Sequence, residues 1–215
     1  MLAVCTPVRA AELGTALVSL GYSDFRCRLV RLMPDFKMLG GECTFSLDVV
    51  RARNRMAGFL LSREEFADVT HVLWVDDDNW PEDVRIVPEM VERCRGVLGA
   101  PYTSKKDPVR WVHRADGQGG LVGVGFGFTM TTRECLTRVA ASAKWYTDLP
   151  NALSVPNIFG QLYEVTPLGE TLLSEDFSFC KRAREAGYEI ELYENALIHH
   201  AGGHVWNACQ MGPPR

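Results

Sequence analysis

The chain has 215 residues, of which 47% are hydrophobic and 23% charged, a balance that excludes disordered, fibrous and collagen-like classes. A chain this long buries roughly 70% of its unfolded surface, so its core needs no disulfide or metal staple and any metal would serve function. The formal net charge of −4 at pH 7 excludes a global electrostatic footprint for nucleic acid or anionic membrane.

Hydrophobic runs bounded by turn signals alternate with helical patterns, which predicts a mostly parallel sheet covered by helices. Leu2 to Thr6 reads as a first strand, Ala10 to Leu20 as a helix ended by Gly21, and Cys27 to Met33 as a second strand. Ser46 is placed to cap a helix through about Ser62, with Val49, Val50, Ala52, Met56, Phe59 and Leu60 as its apolar stripe. Val69 to Val75 is the nearly continuous apolar run of a central strand buried on both faces. Pro81 opens a helix to Cys94 with Glu82 and Asp83 in its first turn, and Val97 to Thr103 follows as a strand.

The Gly-rich piece from Gly117 to Gly127 reads as a loop leading into a strand, after which Thr132 caps a short helix. Its Gly123-Val-Gly125-Phe-Gly127 core does not keep GxGxxG spacing, so it is no dinucleotide fingerprint. Lys144 to Pro167 holds Pro150, Pro156 and Pro167 without a clean period and reads as a loop excursion. Ser174 caps a helix from Glu175 to Ala186 closed by Gly187, Tyr188 to Tyr193 alternates as a strand, and Ala196 to His200 is a short apolar run ending in histidines.

Seven cysteines (Cys5, Cys27, Cys43, Cys94, Cys135, Cys180 and Cys209) are scattered without a CxxC pair, which points to reduced thiols in a cytoplasm. The amino terminus lacks the features of a signal peptide, and no stretch approaches the roughly 18 apolar residues of a membrane helix. The expectation is one intracellular domain over residues 1–215, without repeats or linkers.

Three features carry chemistry. In His71-Val-Leu-Trp-Val-Asp-Asp-Asp-Asn79, three adjacent carboxylates at a strand end repel one another unless a cation, hydrogen bonds or exposure compensates. Alternation in an extended segment would turn Asp76 and Asp78 to one side and Asp77 to the other. Such a pair at the carboxyl end of a strand suits Mg²⁺ or Mn²⁺ carrying phosphate oxygens; the plainer reading is an acidic turn capping the next helix. Glu175 and Asp176 open a helix, where the dipole favours acids with or without a function and also keeps a carboxylate ionised and able to accept a proton. His199, His200 and His204 fall within six residues beside Gly202 and Gly203, whereas His71 and His113 read as structural. A neutral imidazole is a good Mn²⁺ ligand and a poor one for Mg²⁺.

In this order, Asp76-Asp77-Asp78, the Glu175-Asp176 helix start and His200-x-Gly resemble the GT-A glycosyltransferases, which use nucleotide-sugar donors. The chain is similar in size and motif order to their compact viral and bacterial members, including the small glycosyltransferase domains of large algal viruses. The likeness extends to Thr6-Pro7, the Ala52-Arg53-Asn54 helix and the strand and helix from Gly123 to Arg133. It implies a single Rossmann-like α/β/α sandwich with a mostly parallel central sheet. It further implies that Asp78 and His200 bind Mn²⁺ or Mg²⁺, with Asp76 beside the ribose and metal-bound water and His199 as the alternative register. Thr6, Pro7 and Arg9 would line the base pocket, Arg53 would reach the base or phosphate, and Asp77 and Lys105, with Lys106, would border the donor. Asp176 would be the general base, and Glu175 would hold acceptor hydroxyls. Trp111 and Trp206 would stack on sugar or base, unless they pack in the core.

The donor implied is a nucleotide diphosphate sugar, UDP-linked, and the acceptor a glycan hydroxyl. The Glu-Asp pair suggests inversion, while the His200 to Trp206 stretch is loosely similar to the terminal motif of some retaining enzymes. Transfer to hydroxymethylated pyrimidines in phage DNA is an alternative, for which Arg26, Arg28, Arg31, Arg51, Arg53 and Arg55 offer local positive charge. The other readings are a metal-dependent phosphohydrolase or nucleotidyltransferase using the same acids, and a non-catalytic sugar-binding module.

Overall fold

The computed structural model describes residues 1–10, 16–17, 19–43, 49–105, 110–116, 118–149, 152–166, 169–201 and 205–207. The expected positions Ser46, Lys106 and His204 lie outside them.

Strand β1 runs Leu2–Ala10 and a short β2, Ala16–Leu17, folds back antiparallel onto its end. The predicted helix over Ala10 to Leu20 is therefore corrected: helix α1 spans Leu20–Leu32 and takes up the segment expected as a second strand. The cap decides this, because the Ser19 side chain accepts the Tyr22 N–H at 3.0 Å. Tyr22, Phe25 and Leu29 then recur at helical spacing on the buried face. Gly21 lies in the first turn and does not end the helix; an added Cβ there would overlap the Trp80 ring.

Next come β3, Lys37–Cys43, α2, Val49–Ser62, and β4, His71–Val75. Pro81 does not open a helix: it closes β5, Asn79–Pro81, and α3 begins later, over Ile86–Arg93. Strand β6 is Val97–Gly99. The Gly-rich piece forms a hairpin of β7, His113–Ala115, and β8, Leu121–Val124, before β9, Phe128–Thr132. Thr132 caps α4, Arg133–Ser142, by accepting the Cys135 N–H at 3.1 Å.

The expected loop excursion contains β10, Trp145–Asp148, paired with β11, Leu153–Pro156, and β12, Tyr163–Thr166, paired with β13, Gly169–Leu172. Pro156 ends β11, a position that strands tolerate, whereas Pro150 and Pro167 lie outside the described residues. Helix α5 is Glu175–Glu185, and Gly187 has a φ of 89° beyond its end. The chain continues through β14, Ile190–Leu192, β15, Ile198–Ala201, and β16, Val205–Asn207.

The central sheet is ordered β14-β6-β9-β4-β1, with β3 on the far side of β1. Pairs β14/β6, β4/β1 and β1/β3 are parallel, while β9 runs antiparallel to both neighbours. Strand alternation divides the core into two layers. Ala3, Cys5, Val72 and Trp74 face Met56, Leu60, Leu136 and Phe179 of α2, α4 and α5. Leu2, Val4, Leu73 and Val75 face Tyr22, Phe25, Leu29, Val87 and Met90 of α1 and α3. The result is a Rossmann-like α/β sandwich with a mostly parallel sheet. No helix among the described residues is long and apolar enough to cross a membrane.

Cys5, Cys27, Cys94, Cys135 and Cys180 are free thiols. Burial pushes the thiol pKa of Cys94 up to about 11 and that of Cys135 to about 12, so these two are uncharged packing groups and not nucleophiles.

Gly99 gives a test of sheet packing. A Cβ there would lie 2.7 Å from Val124 Cβ and within 2.9 Å of both its methyls. Gly99→Ala is expected to lower the unfolding free energy by about 1–3 kcal/mol, read by urea denaturation. Its cost should be smaller in a Val124→Ala background, where the opposing methyls are gone.

Candidate active site

The carboxyl ends of parallel strands β1, β4 and β6 lie along one edge of the sheet. Because β9 is antiparallel, the Gly125 to Gly127 turn before it reaches the same edge. Open α/β sheets bind ligands along such an edge. Two clusters of side chains meet there.

The first is built on Arg53, which α2 brings in from beside the sheet at only 1% exposure. Its Nη2 donates to Asp76 Oδ1 at 2.9 Å, and its Nη1 donates to Glu175 Oε1 at 3.4 Å and to Asp176 Oδ1. The guanidinium lies 5.8 Å from the Phe126 ring centre and 5.7 Å from that of Phe159. Burial works against its charge, but Asp176, Asp76 and Glu175 together outweigh burial and hold it protonated. Burial also raises the proton affinity of Asp76 and of Asp176, and Arg53 opposes the rise in both. Asp176 stands in the first turn of α5 beyond Ser174, whose side chain accepts the Phe177 N–H at 3.3 Å.

The second cluster is built on Asp78. The expected extended alternation of the three aspartates is corrected, because Asn79 N–H closes a turn on the Asp76 carbonyl at 3.0 Å. Asp76 accordingly meets Arg53, whereas Asp78 meets Lys105 and His200. Asp77 is buried and its carbonyl accepts the Ser19 N–H at 3.0 Å, tying the turn to the cap of α1.

Pairing of β15 with β5 carries His200 to this turn: His200 lies opposite Asn79, and the Ala201 N–H donates to the Asp78 carbonyl at 2.8 Å. His200 Nε2 is 3.7 Å from Asp78 Oδ1, and His200 Nδ1 is 2.6 Å from the Thr103 carbonyl. A carbonyl only accepts, so Nδ1 carries a proton, and Nε2 is the ring nitrogen turned toward the carboxylate. A carboxylate oxygen and an imidazole nitrogen turned toward each other are the donor types that take a divalent cation, and the carbonyl fixing the ring is the usual support of a ligating histidine. His199 turns the other way, stacking on Trp80 at 5.5 Å with Nε2 4.0 Å from Glu82. Register thus separates the two adjacent histidines.

The carboxylate and imidazole donor set fits a divalent cation of the Mn²⁺ type. Among the described residues no group of three His, Cys, Asp or Glu side chains is gathered to hold a metal unaided. The Lys105 ammonium donates to Asp78 Oδ2.

Thr6 is buried with its hydroxyl 2.6 Å from the Tyr22 hydroxyl, and Pro7 is buried beside it on β1. Arg9 is paired through its backbone with Leu17 and Cys43. Arg53, expected to reach the base or phosphate, is instead committed to the three carboxylates. Trp111 bridges by its backbone to Thr103 and so lies next to the residue that orients His200. Trp206 pairs by its backbone with His200. His71 sits at the opposite, amino end of β4.

Sequence reasoning missed Tyr102, Asn79 and Thr103. The Tyr102 hydroxyl accepts the Gly127 N–H at 3.0 Å, and its ring meets His200 edge-on at 5.3 Å. Burial, followed by Asp176 and Asp76, holds its phenol well above the ordinary range, so it stays protonated. A Cβ on Gly125 or Gly127 would overlap this ring's hydroxyl end, so the glycine alternation in the sequence was its signal. The side chain of Asn79 and the hydroxyl of Thr103 are buried without a protein hydrogen-bond partner.

Replacing Arg53 tests the first cluster. Arg53→Met leaves three half-buried carboxylates without their counter-ion and is expected to cost about 1–3 kcal/mol of stability at pH 7. Burial raises the folded-state pKa of Asp176 above its unfolded value, so its uncompensated charge destabilises the fold above that unfolded pKa, and the penalty falls as the group is protonated. The difference between variant and wild type should narrow from pH 7 to pH 4.5 in urea unfolding.

No protein-family model matches the chain, and no curated protein sequence matches it. Among solved structures, A197 from STIV aligns with a TM-score of 0.58 at 17% identity, covering 94% of this chain and 85% of A197. HddC from Yersinia pseudotuberculosis, complexed with GMP-PN, aligns with a TM-score of 0.35 at 8% identity over 86% of this chain and 97% of HddC. Nearly the whole chain thus shares its fold with A197.

Proposed function

We propose that the protein is a metal-dependent glycosyltransferase that moves a sugar from a nucleotide diphosphate donor, a UDP-sugar, to a glycan hydroxyl with inversion. The observation that carries this reading is the facing pair Asp78 and His200, set at the strand ends that also hold Asp176. The fold likeness to A197 from STIV supports it at the level of architecture.

In this reading Asp78 and His200 are the residues that would hold Mn²⁺ or Mg²⁺. The bound cation supplies Lewis-acid stabilisation of the charge that develops on the departing diphosphate. Thr6, Pro7 and Arg9 at the end of β1 form the base side, and Trp111 and Trp206 flank the sugar or acceptor. Asp176 takes the proton of the acceptor hydroxyl as that oxygen bonds to the anomeric carbon and the bond from this carbon to the phosphate oxygen breaks. Burial makes Asp176 a stronger base than an exposed aspartate, and the Arg53 guanidinium opposes that rise. Glu175 orients the acceptor.

A DNA acceptor finds less support. Of the six arginines that suggested local positive charge, Arg51 and Arg55 both pair with Asp148, Arg53 with three carboxylates, and Arg28 with Asp24.

Thermal shift with UDP-, GDP- and dTDP-sugars tests the donor: UDP-sugars are expected to stabilise the protein only when Mn²⁺ is present, and no nucleotide stabilising it with any metal would overturn the reading. Asp78→Ala is expected to abolish the metal dependence of that shift. Asp176→Asn should lower transfer by about 10²–10⁴-fold while preserving the Mn²⁺-dependent shift. A product of retained anomeric configuration by NMR would sink the role of Asp176 as base, and donor turnover indifferent to acceptor would favour a phosphohydrolase.

A further inference from the structure

Asp78 presents its two oxygens to two different partners. Oδ1 faces Nε2 of His200 at 3.7 Å, a carboxylate and imidazole pair of the kind that takes a cation, whereas Oδ2 carries the ammonium of Lys105. The Asp78 side chain is 13% exposed and that of Lys105 30%, so one carboxylate charge in a partly desolvated place serves both groups. Attraction between such charges is several times stronger there than in bulk water. Neither group is idle in the fold around it. Lys105 follows Tyr102 and Thr103, which respectively pack on and orient His200. A shift of the ammonium is felt at Asp78, whose Oδ2 it bonds.

We propose that Lys105 and a divalent cation compete for the charge of Asp78, so that the free protein binds the cation weakly and a nucleoside diphosphate tightens it by drawing Lys105 onto its phosphates. The competition itself rests on Asp78, His200 and Lys105 alone; the role of the diphosphate rests on the donor reading above. An ammonium is a compact point charge on a flexible stem, able to exchange a carboxylate for a phosphate oxygen nearby. Once it has moved, more of the Asp78 charge is available to the cation. Linkage makes the effect reciprocal, so the cation tightens the nucleotide by the same factor. Such coupling would keep the site from filling with metal in the absence of donor.

The test is a Mn²⁺ titration followed by the electron paramagnetic resonance signal of free Mn²⁺, with and without UDP, on the intact wild-type chain, Lys105→Met and Lys105→Arg. Without UDP, Lys105→Met is expected to bind Mn²⁺ on the order of tenfold more tightly than wild type, and Lys105→Arg, which keeps the charge, to stay near wild type. UDP should tighten Mn²⁺ on the wild type and do so much less on Lys105→Met. Unchanged or weaker Mn²⁺ binding by Lys105→Met without UDP overturns the competition, as does the absence of Mn²⁺ binding by both proteins. Tightening in Lys105→Met together with indifference of both proteins to UDP upholds the competition and overturns the donor reading.

Discussion

The acidic cluster at the sheet edge, which joins the turn after β4 to the start of α5, depends on one buried guanidinium. Arg53 reaches three carboxylates from two elements far apart in sequence, Asp76 after β4 and Glu175 with Asp176 at the start of α5. Three negative charges against one positive charge leave that cluster acidic, and burial alone would push the acids toward protonation. The guanidinium holds them at fixed separation and keeps its own charge because they surround it. Its floor of Phe126 and Phe159 is continuous with Trp74 and Phe179, so the ionic cluster rests on the main core and not on a loop.

In the second cluster backbone pairing sets the histidine, beside the ion pair of Lys105 with Asp78. Strand β15 adds to β5 and sets His200 against the turn that holds Asp78, and the register sends His199 to the opposite side. Tyr102 spans the two clusters: it packs on His200, and its phenol feels the fields of Asp176 and Asp76. Room for it exists because positions 125 and 127 carry no side chain. His200 and the Asp176 carboxylate are thereby brought to one edge by different forces, charge in the case of Asp176 and strand register in the case of His200.

Much of this was legible in the chain. The apolar run before Asp76, the caps Thr132 and Ser174, and Gly187 beyond α5 are local signals, and local physics honours them. The grouping of acids and histidines was also visible, because residues that carry chemistry stand out from an apolar background. Errors arose where local signals are ambiguous. Cys27 to Met33 is apolar enough for a strand, and only the Ser19 cap and the spacing of Tyr22, Phe25 and Leu29 make it a helix. Pro81 fits the start of a helix as well as the end of an edge strand, and its pairing with Ile198, more than a hundred residues away, decides the matter.

The sequence by itself determined the class of fold and the chemical types at the site, since hydrophobic period and residue identity are properties of a single chain segment. Tertiary structure alone decided which side chain faces which. The turn at Asp76 to Asn79 separates two aspartates that alternation would have put together. Arg53 meets three carboxylates because α2 buries it beside them. His200 and not His199 meets Asp78, because the hydrogen-bond register of two distant strands, which no local pattern encodes, turns adjacent side chains to opposite faces.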